Sequence, residues 1–268
     1  MTEHLLVQGD LNLFYRVYGE GKPVVALHGL GIDGKVWDKL ARTLETKYRF
    51  IVPDIPGSGR STRKDGDWSI EMLADDLLLM LEKENIDRCT MIGHSMGGYI
   101  TLAFAEKYPD RLVSFGLFHS TAFADSEERK ATRRKHIDFI NKNGSGKFLA
   151  EAIPNFFSET FKVKEPLVIK DLITHYANFS PVSLVRYNEA MIQRPDRTHI
   201  LESFKGAILF LAGENDTIIP LEQTLKQCKI PEFAYIYVAV QSAHMGMLEE
   251  AGFCARSIYD FLSYDELV

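Results

Sequence analysis

The sequence predicts an α/β fold, a mostly parallel central sheet with an inserted helical lid, from three observations. Short apolar runs ended by Gly, His, Pro or Asp recur along the chain and alternate with helical patterns, as βαβ units do. The alternation lapses over residues 122–198, where helix signals follow one another without a strand. Apolar residues make up 46% of the 268 and charged ones 25%, enough to fill the core of one large domain.

In chain order, residues 4–8 and 11–18 form a hairpin turned at Gly9-Asp10. Residues 24–27, 50–52 and 89–92 are brief buried strands, and 112–118, 207–211 and 234–240 continue the series. Among the helices, residues 69–84 place Ile70, Leu73, Leu77 and Leu81 on one face. Residues 96–107 are rich in small side chains that allow close packing on a sheet, and 248–262 form the last helix. Inside the insertion, Ser126 precedes EERKATRRKHIDFI, and Ser180-Pro181 supplies an N-cap and first helical residue before VSLVRYNEAMI. The chain thus divides into a core, 1–121 with 199–268, and a lid, 122–198. The run EERKATRRK mixes signs and reads as a solvated helix face. The lid aromatics Phe156, Phe157, Phe161, Tyr176, Phe179 and Tyr187 are expected chiefly to pack the lid onto the body.

A net charge of −6 argues against nucleic-acid binding, which rests on neutralising phosphates with Lys and Arg. Cys89, Cys228 and Cys254 are odd in number and lack metal or disulfide spacing, so a reducing compartment is expected. The N-terminal residues carry no basic leader, and no apolar run reaches membrane-spanning length. The expectation is a soluble cytoplasmic protein that acts on a small molecule, with no nucleic-acid or membrane partner and an open oligomeric state.

Three motifs invite a chemical reading. LHGLGIDGKVW contains Gly29, Gly34 and Lys35 at phosphate-loop spacing, but Val36 stands where that loop needs a hydroxyl, and Asp33 would repel a phosphate. Gly57-Ser58-Gly59 lacks the third glycine of a dinucleotide fingerprint, so DIPGSGRS reads as a surface loop braced by Asp54. The strongest signal is Gly93-His94-Ser95-Met96-Gly97, a G-x-S-x-G between a strand and a helix. There the serine sits on a strained turn, small neighbours avoid clashes, and the helix start offers N–H groups to a developing oxyanion.

A serine nucleophile needs a base, and the base an orienting acid. His244 follows the run AYIYVAV, at a strand's C-terminal end, where open α/β sheets form their crevices. His28 and His94 sit at such ends too, but their turns give them sufficient structural work. Glu214 and Asp216 in GENDTIIP are the candidate acids, with Asp216 preferred as lying further into the loop.

HGLG at 28–31, DIPGSGRS at 54–61, GHSMGG at 93–98, GENDTIIP at 213–220 and the His244 loop stand in the order found in the α/β-hydrolase superfamily. The chain resembles its esterase, enol-lactonase and cofactor-free haloperoxidase-like branch, which carries a lid after the sixth strand. The resemblance implies backbone N–H donors from Leu30 and Met96 for the oxyanion. It points to a serine hydrolase acting on a small, largely apolar carboxylic ester or lactone, with Ser95, His244 and Asp216 as its triad and an acyl-enzyme intermediate. No metal or organic cofactor is expected. Trp37, His119 and Met245 lie close enough to these loops to touch substrate. The same fold with a serine nucleophile also serves carbon–carbon hydrolases, acyltransferases or perhydrolases and hydroxynitrile lyases, and some small-molecule receptors retain the triad without turnover.

Overall fold

The computed structural model describes residues 1–64, 66 and 68–264, with the side chain of Tyr264 set aside. Residues 265–268 of the expected core segment, and positions 65 and 67, lie outside the described residues. The strands are β1 Thr2–Gln8, β2 Leu11–Tyr18, β3 Lys22–Leu27, β4 Tyr48–Pro53, β5 Thr62–Arg63, β6 Cys89–His94, β7 Leu112–Phe118, β8 Ile208–Gly213 and β9 Ala234–Ala239. They form one sheet in the order β1-β2-β4-β3-β6-β7-β8-β9, with β5 added to β2. Pairing is antiparallel around β2 and parallel from β4 through β9.

The core helices are α1 Asp38–Leu44, α2 Ile70–Lys83 and α3 Met96–Lys107. From β3 the chain crosses through α1 to β4 on one side, then through α2 back over β3 to β6. Parallel crossovers are right-handed, so the reversal of direction sends α1 to the face opposite α2 and α3. It also opens a crevice at the C-terminal ends of β3 and β6. The loops after β6, β7, β8 and β9 all emerge at this end, because all four strands run parallel.

Between β7 and β8 the chain is helical: α4 Glu127–Asn143, α5 Ser145–Ala152, α6 Glu159–Lys164, α7 Pro166–Tyr176, α8 Pro181–Gln193 and α9 Thr198–Ser203. Ser126 and Ser180 cap α4 and α8 as their sequence positions suggest, accepting from Arg129 N and Ser183 N. Helices α10 Leu221–Gln227, α11 Gly246–Glu249 and α12 Ala251–Tyr264 complete the core. The single C-terminal helix expected over 248–262 is broken at Glu250, whose φ of −130° is not helical. No helix among the described residues is long and apolar enough to cross a membrane.

The lid lies on two loops of the core. DIPGSGRS is exposed at Gly59 and Arg60 but otherwise largely covered: Asp54, Ser58 and Ser61 are buried, and Tyr187 of α8 donates to Pro56 O at 2.6 Å. Asp54 does brace it, accepting from Gly34 N at 3.0 Å, Arg16 at 3.1 Å and Arg60 N at 2.9 Å. The loop after β3 is sealed by α7, whose Tyr176 donates to Asp33 at 3.1 Å, while Lys35 is exposed. Asp33 caps the short helical turn at Gly34–Trp37, so this loop ends a strand and cradles no phosphate.

Two buried histidines tie loops together at this end of the sheet. His28 accepts from Ile55 N at Nε2, 2.8 Å, which places its proton on Nδ1 facing Gly29 O at 2.8 Å. His94 donates Nε2–H to the carbonyl of His244 at 2.8 Å. Burial is the chief cause that lowers both imidazoles below the ordinary histidine value, His94 well below it.

Removing Asp54 strands Arg16, whose side chain is 5% exposed. Asp54→Ala is expected to cost roughly 3–5 kcal/mol in urea unfolding. Ser69→Ala, which deletes the N-cap bond to Met72 N at 3.0 Å, should cost only about 1 kcal/mol. The depressed histidines set a pH dependence. Below about pH 6.5 the unfolded chain binds protons that the folded one refuses, so stability falls with falling pH, by up to about 1.4 kcal/mol per unit for each such histidine. Urea midpoints at pH 7.5, 6.5 and 5.5 should descend in that order, and a flat or rising series would contradict the buried neutral histidines.

Candidate active site

Ser95 joins β6 to α3 with φ 52° and ψ −115°, a conformation L-residues rarely adopt. Its cost, about 1–3 kcal/mol, is sustained by bonds on both sides of the residue. Ser95 N donates to Phe118 O at 3.0 Å, and its carbonyl accepts from Gly98 N at 2.9 Å and Ser120 Oγ at 2.7 Å. The motif's small residues follow from contact distances. A Cβ on Gly93 would lie 2.3 Å from Gly97 backbone, one on Gly97 2.7 Å from Leu27 O, and one on Gly98 2.3 Å from Ser120 Oγ. Gly29 is equally constrained, since a Cβ there would stand 2.9 Å from His94 and 3.1 Å from Ser95 Cβ. The HGLG turn therefore lies directly against the serine turn. Met96 is the first residue of α3, so its N–H is among those a helix leaves without an internal partner. Leu30 borders the same cavity as Ser95.

Asp216, after β8, and His244, after β9, meet at 2.7 Å between Oδ2 and Nδ1. Glu214, the alternative acid, is exposed, while Asp216 is 4% exposed. Asp216 Oδ1 accepts from Ile218 N and Ile219 N at 2.8 and 2.9 Å, which fixes the carboxylate's rotation. Burial pushes this carboxyl up, but attraction to His244 and the hydrogen bond from its ring, with His119 close by, outweigh it and hold it far below the usual range. The His244 loop is set by Glu249, which accepts from Ala243 N at 3.0 Å and Met245 N at 3.1 Å. His244 N in turn donates to Phe156 O of the lid at 2.9 Å.

Ser95 and His244 line one cavity of about 450 Å³, within the range of small-molecule sites. Leu30, Ile32, Tyr99, Leu149, Phe156 and Met191 form its apolar wall. Of the six lid aromatics singled out from sequence, only Phe156 lines it; Tyr176 and Tyr187 bond the core loops instead.

Trp37, His119 and Met245 do not line the cavity, a correction to the expected substrate contacts. Trp37 is fully buried, edge-on to Phe118 at 5.2 Å, and Met245 is also fully buried. His119, with φ 48°, turns inward to Asp216: its Nδ1 lies 3.2 Å from Oδ2 and accepts from Gly213 N at 3.1 Å. One nitrogen cannot accept from Gly213 and donate to Asp216 at once, so the tautomer decides which partner is served. The charge run 127–135 is solvated over most of its length, as expected, but one edge of the helix turns inward. Arg129, Thr132, Arg133 and His136 line the cavity, and Arg133 is 8% exposed. Their spacing of three and four residues was the available signal.

His119, Asp216 and His244 form the one group among the described residues with metal-ligand donors in reach of one another, within 4.8 Å. Two ligands each about 2.0 Å from a tetrahedral ion stand about 3.3 Å apart. The 2.7 Å contact between Asp216 and His244 is tighter, and suits a proton held between them.

Comparison with known proteins agrees with the fold. A family model described as alpha/beta hydrolase fold matches residues 22–124. An uncharacterised protein of Mycobacterium tuberculosis is 31% identical over 231 residues, 77% of this chain, and the chain spans 65% of that relative's length. A malate-bound thermophilic esterase from Thermogutta terrifontis is 28% identical and superposes with a TM-score of 0.92, 99% of each chain being covered. An enol-lactonase from Burkholderia xenovorans LB400 shares the fold at 22% identity and a TM-score of 0.89, over 97% of this chain and 100% of that one. With the family model matched over residues 22–124 and a full-length superposition beyond them, the chain has the α/β-hydrolase fold.

Proposed function

We propose that the protein is a serine hydrolase that cleaves a small carboxylic ester or lactone through an acyl-enzyme. The observation that carries the reading is the short Asp216–His244 hydrogen bond at the wall of the cavity where Ser95 is presented on its strained turn. The esterase and enol-lactonase relatives support the same class of reaction.

In this mechanism Ser95 Oγ attacks the carbonyl carbon while His244 Nε2 takes the hydroxyl proton. Asp216 holds Nδ1–H and so selects the tautomer whose Nε2 is free to accept. The oxyanion is met by the N–H groups of Met96 and Leu30, each such donor being worth about 3–4 kcal/mol in the transition state. His244 passes its proton to the leaving alkoxide, then activates a water that releases the acid and regenerates Ser95. The apolar character of Leu30 and Met96 is no obstacle, because only their backbone donates.

A fluorophosphonate probe should label the wild-type protein at Ser95, and Ser95→Ala should abolish the labelling; labelling that persists in the alanine variant would refute the assignment. On p-nitrophenyl acetate, Asp216→Asn is expected to lower kcat on the order of 10⁴-fold, since the amide cannot hold the productive tautomer. A loss below about tenfold would remove Asp216 from the triad.

A further inference from the structure

The wall that α4 gives the cavity is out of keeping with a purely apolar substrate. Arg129, Thr132, Arg133 and His136 face it from one side of the helix, with Glu128 beside them. The charges do not balance. Asp125, whose side chain is fully buried, is approached by three guanidiniums: Arg133 through Nε, Arg194 at 2.9 Å and Arg129 at 3.4 Å. Glu128 adds a second carboxylate, but it is exposed. Buried cations are costly unless paired, so two buried guanidiniums, Arg133 and Arg194, and the part-exposed Arg129 against one buried carboxylate leave an acceptor to be supplied.

The three arginines differ in what they have left to give. Arg194 is committed: it lies 3.8 Å over the Tyr99 ring and donates to Met191 O and Phe123 O. Arg129 spends one terminal nitrogen on Ile218 O at 2.7 Å. Arg133 uses Nε for Asp125, which leaves its two terminal NH₂ groups, the fork that matches a carboxylate in bidentate fashion. His136, packed on Phe148 at 5.1 Å, reports the same field. Its imidazole is lowered by burial first and then by repulsion from Arg133 and Arg129, and its buried Nδ1 has no hydrogen-bond partner.

We propose that the substrate carries a carboxylate at its non-reacting end, held by Arg133 with Arg129 and His136, while its ester or lactone carbonyl lies at Ser95. The substrate class is then the half-ester of a dicarboxylic acid, or a lactone bearing a free acid, rather than a neutral alkyl ester. This rests on the hydrolase reading for the fate of the carbonyl, but the anion subsite is testable without turnover.

The test is calorimetric binding to Ser95→Ala protein of monomethyl esters of C4 to C8 dicarboxylic acids, each against its ω-amide analogue. For at least one chain length the acid should bind tenfold or more tightly than the amide, and the preference should shrink as salt is raised. Arg133→Met should bring the acid-to-amide ratio close to one. Should that variant lose its folded circular dichroism, Arg129→Gln, at a half-buried position, should still reduce the ratio severalfold. Equal or weaker binding of the acid at every length overturns the proposal. A wild type that takes up the fluorophosphonate probe yet shows no acid preference sinks the anion subsite and leaves the hydrolase reading standing. A wild type that refuses the probe while binding half-acids selectively does the reverse.

Discussion

The positive φ of Ser95 is the constraint around which the rest of the site is arranged. An L-residue holds that conformation only where its surroundings leave it nowhere else to go. Here the amide is claimed by Phe118 O of β7 and the carbonyl by Ser120 and Gly98, so β6, β7 and α3 all fix one residue. The closeness of the backbones then dictates composition. Gly93, Gly97 and Gly98 are each forced by contacts that a Cβ would bring below 3 Å, and Gly29 answers the same demand from the facing loop. What reads in sequence as a motif is, physically, the absence of four side chains from a crowded junction.

The remaining groups reach that junction because parallel strands deliver their C-terminal ends together. Three successive strands, β7, β8 and β9, end at His119, Asp216 and the His244 loop, and the sheet spacing brings the side chains into contact without long loops. Asp216 is held by two backbone amides on one oxygen and faces two imidazoles with the other. Such a carboxylate stays ionised despite its burial, which is the electrostatic condition for steadying a protonated imidazole beside it.

Legibility from sequence followed the range of the interactions involved. Most strands, the capping serines at 126 and 180, and Ser95 itself depend on neighbours within a few residues, and their local patterns marked them; the two-residue β5 and the cap at Ser69 were not marked. Asp216 was separable from Glu214 only by its position in the loop; the structure separates them by burial. Proximity in sequence misplaced Trp37, His119 and Met245, since a residue beside a loop can point into the core as readily as into a cavity. Helix α4 failed in the opposite direction. Mixed charges suggest water, and only the fold of the lid turns Arg129, Arg133 and His136 inward over the crevice. The DIPGSGRS loop was misjudged for the same reason, because its cover comes from Tyr187, some 130 residues away in the chain.

The lid is therefore part of the site's geometry as well as its roof. Tyr176 and Tyr187 bond the loops after β3 and β4, and Phe156 O accepts from the backbone N–H of His244 itself. A displacement of the segment around Phe156 would pull on His244, whereas a displacement of α4 alone would change the cavity's charge and leave that bond intact. The two halves of the lid consequently carry different burdens. The α5-to-α6 stretch holds the His244 loop through Phe156 O, and α4, anchored through Asp125 to Arg194 at the end of α8, lines the cavity. The Phe156 segment can change only as far as the His244 loop allows, and on the inner face of α4 the part-exposed Arg129 is freer to vary than Arg133, which pairs with buried Asp125.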